Sequence, residues 1–420
     1  MRRSLDEATL AAVEDHLAAT DETLATAYPG DDGSRQPVHT VYVPADLYRE
    51  GVAAEWGRAA RDLLAANGGT DALLDAVGVR EDLVADVAAR VEDKLLREPV
   101  EDLRVDFEDG YGDRGDEDED RVVAAVVDGL RAELESGTAT PFLGIRFKCF
   151  ERDTRARGLR TVDLFVGRLA AGGALPDGLT LTLPKVTTRE QVEAMVMVCE
   201  RLEHAAGLPS GRLRFEVQVE TPQAILGPTG VATVATLVHA GAGRVSGLHY
   251  GTYDYSASLG IAAAYQTLDH PAADHAKAVM QLAAAGTGVR LSDGSTNVLP
   301  VGEPAQVRAA WANHGRLVRR SLERGYYQGW DMHPGHLPSR FAATYAFYLE
   351  GFAPAAARLR AYTHGEKGAV MDEPATARAL AWFLRRGVDC GALDAQEVLD
   401  RAGTDPGRIL GATHHGAARA

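Results

Sequence analysis

Two carboxylates, Glu220 and Asp254, follow neighbouring β-rich runs, "LRFEVQV" and "VSGLHY". Carboxylate oxygens from neighbouring strands suit one Mg²⁺ ion, which prefers octahedral oxygen ligands and keeps positions open for water or substrate. A 2-oxo acid would chelate such an ion through its carboxylate and keto oxygens, and the ion would stabilise the resulting enolate. Glu220 and Asp254 are therefore candidate metal ligands. The alternative is a pair of structural carboxylates that cap helices.

Four further charged residues follow other β-rich runs. Arg146, in "LGIRFKC", cannot lose its proton and would clamp a substrate carboxylate through two N–H groups, or it could pair with nearby acids. Those acids are Glu108 and Asp109 of "VDFEDGYG", which either hold waters around the ion or pair structurally. Lys185, in "LPKV", is a candidate substrate-binding residue. This set predicts a site that makes or breaks a carbon–carbon bond next to an enolate.

Other polar residues near strand ends each have two alternative roles. A metal-free Schiff-base aldolase would need Lys148 or Lys185 as nucleophile, but the surrounding acids favour charge pairing over a lowered pKa. Neutral His suits proton transfer near pH 7, so His249 and His333 are candidates, each with a structural alternative. Asp331 is another candidate. The proton-transfer residue is left unassigned.

The elements that position these residues alternate between β-rich runs and longer helical patterns from about residue 39 onward. Eight such units over roughly 300 residues predict an α/β fold, a (β/α)₈ TIM barrel, whose active site lies at the carboxyl ends of its strands. The runs are apolar with little alternation, as expected of parallel strands covered on both faces. The predicted strands are 39–43, 103–107, 143–149, 179–183, 213–219, 245–250, 296–301 and 327–332.

We expect residues 38–350 to form the barrel. Residues 1–37 would be an N-terminal helical extension that ends in a loop around "YPGDDGSRQP". Residues 351–420 would form a C-terminal helical tail, either a lid over the barrel mouth or a contact with a neighbouring subunit. The end of that tail, "GATHHGAARA", is expected to be disordered.

The composition excludes several classes of partner. The chain has 420 residues and a net charge of −16, from 60 acidic and 44 basic residues, so nucleic acid and anionic membrane surfaces would repel it. The acidic run 113–120 is interpreted as a solvated helix N-terminus. Three dispersed cysteines indicate neither a disulfide framework nor a zinc site, and no run is apolar enough to span a membrane. A cytoplasmic location is expected.

Six motifs together resemble one family. "VYVPA", "DFEDGYG", "GIRFK", "LPKV", "FEVQVET" and "GWDMHPGHL" occur in the order of the citrate lyase β-subunit/HpcH–HpaI aldolase superfamily, and "GLHYGTYDYSAS" is similar to malate synthase. The resemblance, to a distant branch, spans about residues 40–340. It implies a (β/α)₈ barrel with Mg²⁺, or Mn²⁺ in its place. It implies metal ligands at Glu220 and Asp254, a substrate-gripping Arg146, and Glu108 and Asp109 near the waters on the ion.

The expected function is that of an Mg²⁺-dependent carbon–carbon lyase or aldolase acting on a small 2-oxo or hydroxy acid, free or as a CoA thioester. Alternatives are a malate-synthase-like condensation of an acyl-CoA with glyoxylate, a Schiff-base aldolase, and a non-catalytic ligand-binding barrel. The expected partners are a small carboxylic acid or acyl-CoA and further copies of the chain, since the family is commonly oligomeric. No other cofactor is expected.

Overall fold

The computed structural model describes residues 4–173, 175–365 and 373–411. Eight strands pair in parallel within one sheet. They are β1 His39–Pro44, β2 Asp102–Asp106, β3 Phe142–Arg146, β4 Leu179–Leu183, β5 Phe215–Val219, β6 Val245–Tyr250, β7 Arg290–Ser292 and β8 Gly329–Asp331.

The order of strands around the sheet follows the chain from β1 to β7, with β8 beside β1. A single parallel bridge between Ser292 and Gln328 joins the two edges, and the N–H of Asp293 donates to the carbonyl of Gln328 at 2.8 Å. The sheet therefore closes on itself. This confirms the predicted (β/α)₈ barrel.

Sixteen helices lie within the described residues and surround or extend this barrel. They are α1 Glu7–Ala27, α2 Val52–Ala66, α3 Gly69–Val77, α4 Val84–Arg97, α5 Asp116–Ser136, α6 Arg155–Ala170, α7 Arg189–Ala206, α8 Pro222–Ile225, α9 Thr233–Ala240, α10 Thr252–Ser258, α11 Pro271–Ala284, α12 Pro304–Glu323, α13 His336–Thr363, α14 Pro374–Asp389, α15 Ala395–Ala402 and α16 Pro406–Gly411.

Strand β2 alternates between an apolar and a polar face. In β2, Leu103 and Val105 are buried in the hydrophobic core clusters shared with the helices. Arg104, between them, reaches into the barrel, where its Nη2 lies 3.1 Å from Glu216 of β5. The expectation of strands with little alternation is therefore wrong. In β2 the outward face is apolar and the inward face carries an ion pair, while both faces are buried, as expected of a parallel strand covered on both sides.

The seventh strand was predicted in the wrong place. Residues 296–301, "TNVLPV", have no strand structure, and β7 is the short segment Arg290–Ser292. Val298, Leu299 and Val301 are exposed, and Pro300 has no N–H to donate to a sheet. The apolar composition of this run therefore does not reflect burial in the barrel.

The acidic run is only partly solvated. α5 begins at Asp116, and its first turn is acidic as predicted, with Asp116, Glu117 and Asp118 exposed. Glu119 is instead fully buried, and its carboxylate lies 2.6 Å from Nζ of Lys148. One acid of this run thus belongs to the protein interior.

The segments on either side of the barrel differ in how they pack. α1 has no buried residue, whereas α14 packs on α13. α13 runs without a break across the expected boundary between the barrel and the tail, at residues 350 and 351. From α14, Arg385 donates to the carbonyl of Gly33 and Arg386 pairs with Asp31, both in the segment before β1. The described tail thus contacts the amino-terminal side of the barrel. The proposed lid role and the domain boundaries stay predictions, and residues 412–420 lie outside the described residues.

Within residues 4–173, 175–365 and 373–411, no helix combines the length and apolar character needed to cross a bilayer.

Candidate functional site

Glu220 directly follows β5 and is 2 % exposed. Its Oε1 accepts a hydrogen bond of 2.7 Å from the backbone N–H of Lys185, just beyond β4. Lys185 adopts a positive φ of 52°, a conformation that non-glycine residues seldom adopt. The turn after β4 thus points an N–H group at a buried carboxylate.

The end of β6 leaves room for the same carboxylate. The N–H of Gly251 donates to the carbonyl of Val219 at 3.0 Å, which holds the two strand ends together. A Cβ at Gly251 would lie 2.8 Å from Oε2 of Glu220 and 2.4 Å from its Cβ. Asp254 follows in the first turn of α10, with an exposed side chain, and its charge acts on Glu220. The structure therefore brings the two predicted ligands to one end of the barrel.

Glu220 differs from the other buried carboxylates of the described chain. Those carboxylates each form a salt bridge, except Glu133, which accepts from the Tyr48 hydroxyl and the Gly51 N–H. Glu220 has neither a salt bridge nor a second donor among the described residues. Because an unpaired buried carboxylate is costly, a bound cation would relieve this arrangement. The oxygen donors of Glu220 and Asp254 therefore fit Mg²⁺ or Mn²⁺.

The pKa of Glu220 reflects the burial of this carboxyl without a salt bridge. Burial, with further contributions from Asp254 and Glu108, raises this pKa from 4.5 to about 8 despite the opposing charges of Arg146 and Lys185. Because the pKa is raised on folding, the stability contributed by this carboxyl in the metal-free protein is fully present below about pH 4.5. It is lost as the pH rises through about 8.

We expect Mg²⁺ affinity to rise with pH, since the ion must displace the proton from Glu220. Calorimetric titration should show an increase of up to about tenfold per pH unit up to about pH 8, with a plateau above. A constant affinity across this interval would show that the protonated carboxyl is not part of the metal site.

Glu108, Asp109 and Lys185 form one cluster of charged side chains. Nζ of Lys185 lies 2.5 Å from Oε1 of Glu108 and 2.7 Å from Oδ1 of Asp109. Burial, followed by the contacts with Asp109, raises the pKa of Glu108 to about 7 against the lowering effect of Arg146. Asp109, more than half exposed, has a lowered pKa. Glu108 therefore titrates near neutrality at the edge of the Glu220 site.

Arg146 pairs mainly with Asp106 rather than with Glu108 or Asp109, the acids expected from the sequence. Its Nε and Nη2 donate to the two oxygens of Asp106, at 2.7 and 2.6 Å. Glu108 is more distant, at 3.6 Å from Nη1, and Gln218 lies at 3.4 Å from the same nitrogen. Asp106 is opposite Arg146 in the β2–β3 register. The β2–β3 register places the two residues side by side, and the sequence alone does not fix that register.

The two lysines are charge partners, as predicted. Lys185 is held by Glu108 and Asp109, and these contacts raise its pKa against the effect of its burial. Lys148 is buried with Glu119 at 2.6 Å and the carbonyl of Phe107 at 2.8 Å. Neither environment favours the neutral amine that a Schiff-base mechanism requires.

The candidate proton-transfer residues occupy different positions. His249 is buried, with Nε2 3.0 Å from Glu216 in the barrel interior. His333 accepts from the N–H of Gly335, and burial lowers its pKa. Asp331 is fully buried and forms an ion pair with Arg340. Against the effect of burial, this guanidinium holds the pKa of Asp331 well below its usual range. A saturated, ionised carboxylate does not suit proton transfer, so Asp331 is a poor candidate.

Asp331 also belongs to a group that could be mistaken for a metal site. Single ligand atoms of His314, Asp331 and His336 lie within 4.8 Å of one another. The rings of His314 and His336 are stacked at 4.4 Å and 27°, so their in-plane lone pairs do not converge on one ion. The guanidinium of Arg340 lies 2.7 Å from Asp331. The geometry fits a buried hydrogen-bond network rather than an ion.

The barrel interior and its amino-terminal end are also polar. Arg104 connects Asp102 to Glu216 across the barrel, and a cavity of about 360 Å³ opens below this network, with Arg214 and Arg290 in its walls. Glu220 and Asp254 do not line this cavity. The two ends of the barrel therefore carry separate polar clusters.

Several solved structures are similar to this chain. Protein CitE of Mycobacterium tuberculosis, solved with magnesium, acetoacetate and coenzyme A, is 18 % identical, with 89 % of this chain and 100 % of that chain covered and a TM-score of 0.47. The citrate lyase β subunit of M. tuberculosis with oxaloacetate and magnesium is 17 % identical over 74 % and 98 % of the two chains, at 0.41. Haloferax volcanii malate synthase is 13 % identical over 91 % and 93 %, at 0.48.

These proteins are the kinds that the sequence motifs resemble. No curated protein matches the chain. The sequence model described as a domain of unknown function, DUF6986, matches residues 17–415, and the chain therefore belongs to that family.

Proposed function

We propose that this protein is a divalent-metal-dependent carbon–carbon lyase or aldolase that acts on a small 2-oxo or hydroxy acid through an enolate. The observation that carries the proposal is the buried carboxylate of Glu220, which has no cationic partner in the described chain and lies near Asp254. Mg²⁺ is the favoured ion and Mn²⁺ its substitute. The substrate class includes free acids and their coenzyme A thioesters.

Glu220 and Asp254 would hold the ion through their carboxylate oxygens, with Oε1 of Glu220 oriented by the Lys185 N–H. The bound ion would supply Lewis-acid stabilisation of the negative charge that develops on the substrate. Its oxygen-rich, partly open site leaves coordination positions for a small acid.

Arg146 would bind the substrate carboxylate through Nη1. Its other two donor nitrogens are taken by Asp106, whereas Nη1 has only the distant contacts with Gln218 and Glu108, at 3.4 and 3.6 Å. Asp106 thereby fixes the plane of the guanidinium. Lys185 would add a second positive charge beside the substrate. Glu108, with its pKa of about 7, can accept or donate a proton at neutral pH.

Exchange of the methyl protons of pyruvate with deuterated water tests this function. We expect NMR to show Mg²⁺-dependent exchange that is lost with EDTA and restored by Mg²⁺ or Mn²⁺. The same assay with Asp254→Asn should show weakened metal dependence and slower exchange. Cleavage of oxaloacetate and thiol release from acetyl-CoA with glyoxylate would then separate lyase from condensation activity.

Two outcomes would contradict the proposal. Exchange that survives EDTA, together with borohydride trapping of pyruvate on a lysine, would indicate Schiff-base chemistry. Pyruvate and Mg²⁺ binding without any exchange, cleavage or condensation would indicate a ligand-binding barrel.

A further inference from the structure

The cavity of about 360 Å³ at the amino-terminal end of the barrel has three arginines in its walls that form no salt bridge with a described residue. Arg212 and Arg214 lie just before β5, and Arg290 is the first residue of β7. Because parallel strands begin at the same end of a barrel, these side chains line the same opening, which we call the basic rim of the cavity. Such a rim favours an anion.

Arg290 shows the missing counter-ion most clearly. Its Nη2 donates to the carbonyl and to the hydroxyl of Ser34, at 3.0 and 2.5 Å, and both acceptors are neutral. Its Nε and Nη1 have no acceptor among the described residues. Burial lowers the pKa of this guanidinium, and Arg214 lowers it further against the opposing charge of Asp32.

This lowered pKa sets Arg290 apart from the other arginines of the described chain. Those whose pKa is shifted all have a carboxylate partner and a raised pKa. Arg290 is therefore the cationic counterpart of Glu220, a partly buried charge without an ion of opposite sign in contact with it. A bound anion would relieve this arrangement.

The other two arginines of the basic rim are held in different ways. Nη2 of Arg212 donates to the carbonyls of Leu175 and Pro176, at 2.8 and 2.6 Å, which fix its position without neutralising its charge. Arg214 is exposed and has no hydrogen bond to a described residue. One donor is thus fixed in place, and the other can turn towards a ligand.

Two aspartates, Asp32 and Asp177, also line the cavity and limit the charge of the basic rim. Asp32 accepts from the N–H and the hydroxyl of Ser34, and Asp177 is exposed. Neither forms a salt bridge with the three arginines of the rim. Three positive groups against two negative ones leave a net charge of +1 there, in a chain whose net charge is −16.

The floor of the cavity is acidic. Asp102 and Glu216 both pair with Arg104. Glu216 also accepts from the hydroxyl of Thr182 at 2.5 Å and lies 3.0 Å from Nε2 of His249. These carboxylates would repel an anionic group but can accept further hydrogen bonds from neutral hydroxyl groups. The cavity therefore separates a rim for a negative group from a floor for hydrogen-bond donors.

We propose that this cavity binds a small hydroxylated phosphate monoester, with its phosphate at the basic rim and its hydroxyl groups towards the acidic floor. A phosphate presents three terminal oxygens to several guanidinium groups, whereas one bidentate arginine satisfies a carboxylate. The volume of the cavity leaves space for a short carbon chain beside the phosphate. Glu220 and Asp254 do not line the cavity, so this site is independent of the reaction proposed for them.

Calorimetric titration of the full-length, EDTA-treated protein tests the ligand. Glycerol 3-phosphate should bind with a Kd below about 1 mM. Inorganic phosphate and propyl phosphate, which lack the hydroxylated chain, should bind at least about fivefold more weakly because they lose hydrogen bonds to the floor. Succinate, a dianion without phosphate, should bind at least about tenfold more weakly.

Single substitutions test the location. Arg290→Gln and Arg214→Gln should each weaken glycerol 3-phosphate binding at least about tenfold, since each removes a charged donor from the rim. Arg168→Gln is the matched control, because it removes the same charge from an exposed side chain in the last turn of α6, outside the cavity. It should bind like wild type. Arg214→Gln loses no described hydrogen bond, so its thermal unfolding should also match that of wild type.

Absence of glycerol 3-phosphate binding, or wild-type affinity in both Arg290→Gln and Arg214→Gln, would overturn the cavity as a phosphate site. Equal affinity for propyl phosphate and glycerol 3-phosphate would overturn the recognition of hydroxyl groups. Equal affinity for succinate would overturn the preference for phosphate.

Discussion

Glu220→Gln is expected to weaken Mg²⁺ binding by more than about 100-fold, the upper range for loss of a group that merely supports a ligand. The amide keeps the size of the side chain but removes the charge that would bind the ion. Pyruvate proton exchange should fall to the level of the EDTA-treated wild type. Calorimetric titration with Mg²⁺ and the NMR exchange assay measure the two effects.

The metal-free form of the same variant gives an independent readout. Burial raises the pKa of Glu220 to about 8, so removing the titratable group should make Glu220→Gln more stable than wild type above that pH. Glu200→Gln, on the exposed face of α7, provides a matched control that should alter neither property. Unchanged Mg²⁺ affinity in Glu220→Gln would remove Glu220 from the metal site.

Asp106→Asn is expected to lower the free energy of unfolding by about 3–5 kcal/mol, the usual cost of breaking a buried ion pair on one side. Both residues of the pair are almost fully buried, so Arg146 would keep its charge with only the more distant carboxylate of Glu108, 3.6 Å from Nη1. Asp106 also accepts from the N–H groups of Glu108 and Gly110, which order the turn after β2. Urea unfolding measures the loss.

The double variant Asp106→Asn/Arg146→Gln separates the cost of an unpaired buried charge from the cost of altered packing. Because it removes both charges, it should recover part of the stability lost in Asp106→Asn. In any Asp106→Asn protein that stays folded, pyruvate binding should weaken more than Mg²⁺ binding, since the guanidinium loses its orientation. Equal stability of wild type and Asp106→Asn would contradict this role for the pair.

Much of the fold was predictable because local patterns agree with the tertiary structure. β4 and β6 begin and end where "LTLTL" and "VSGLHY" predict. Apolar outward faces and helix-period repeats are local properties of the chain. The citrate-lyase-like motifs predicted the same barrel.

Other features depended on neighbours distant in sequence. β7 has three residues, and its pairing is decided by the strands on either side rather than by its own composition. Glu119 lies in an acidic run that is typical of a solvated helix N-terminus. It is nevertheless buried, where it forms an ion pair with Lys148, which follows β3.

The sequence by itself determined the alternation of strands and helices and the clustering of charged residues just after the strands. It therefore determined at which end of the barrel a site could form. Only the tertiary structure decided that Arg146 pairs with Asp106 and that Glu220 forms no salt bridge with a basic side chain of the described residues. Ion pairing in a barrel depends on strand register and closure, and these are fixed only when residues far apart in the chain meet.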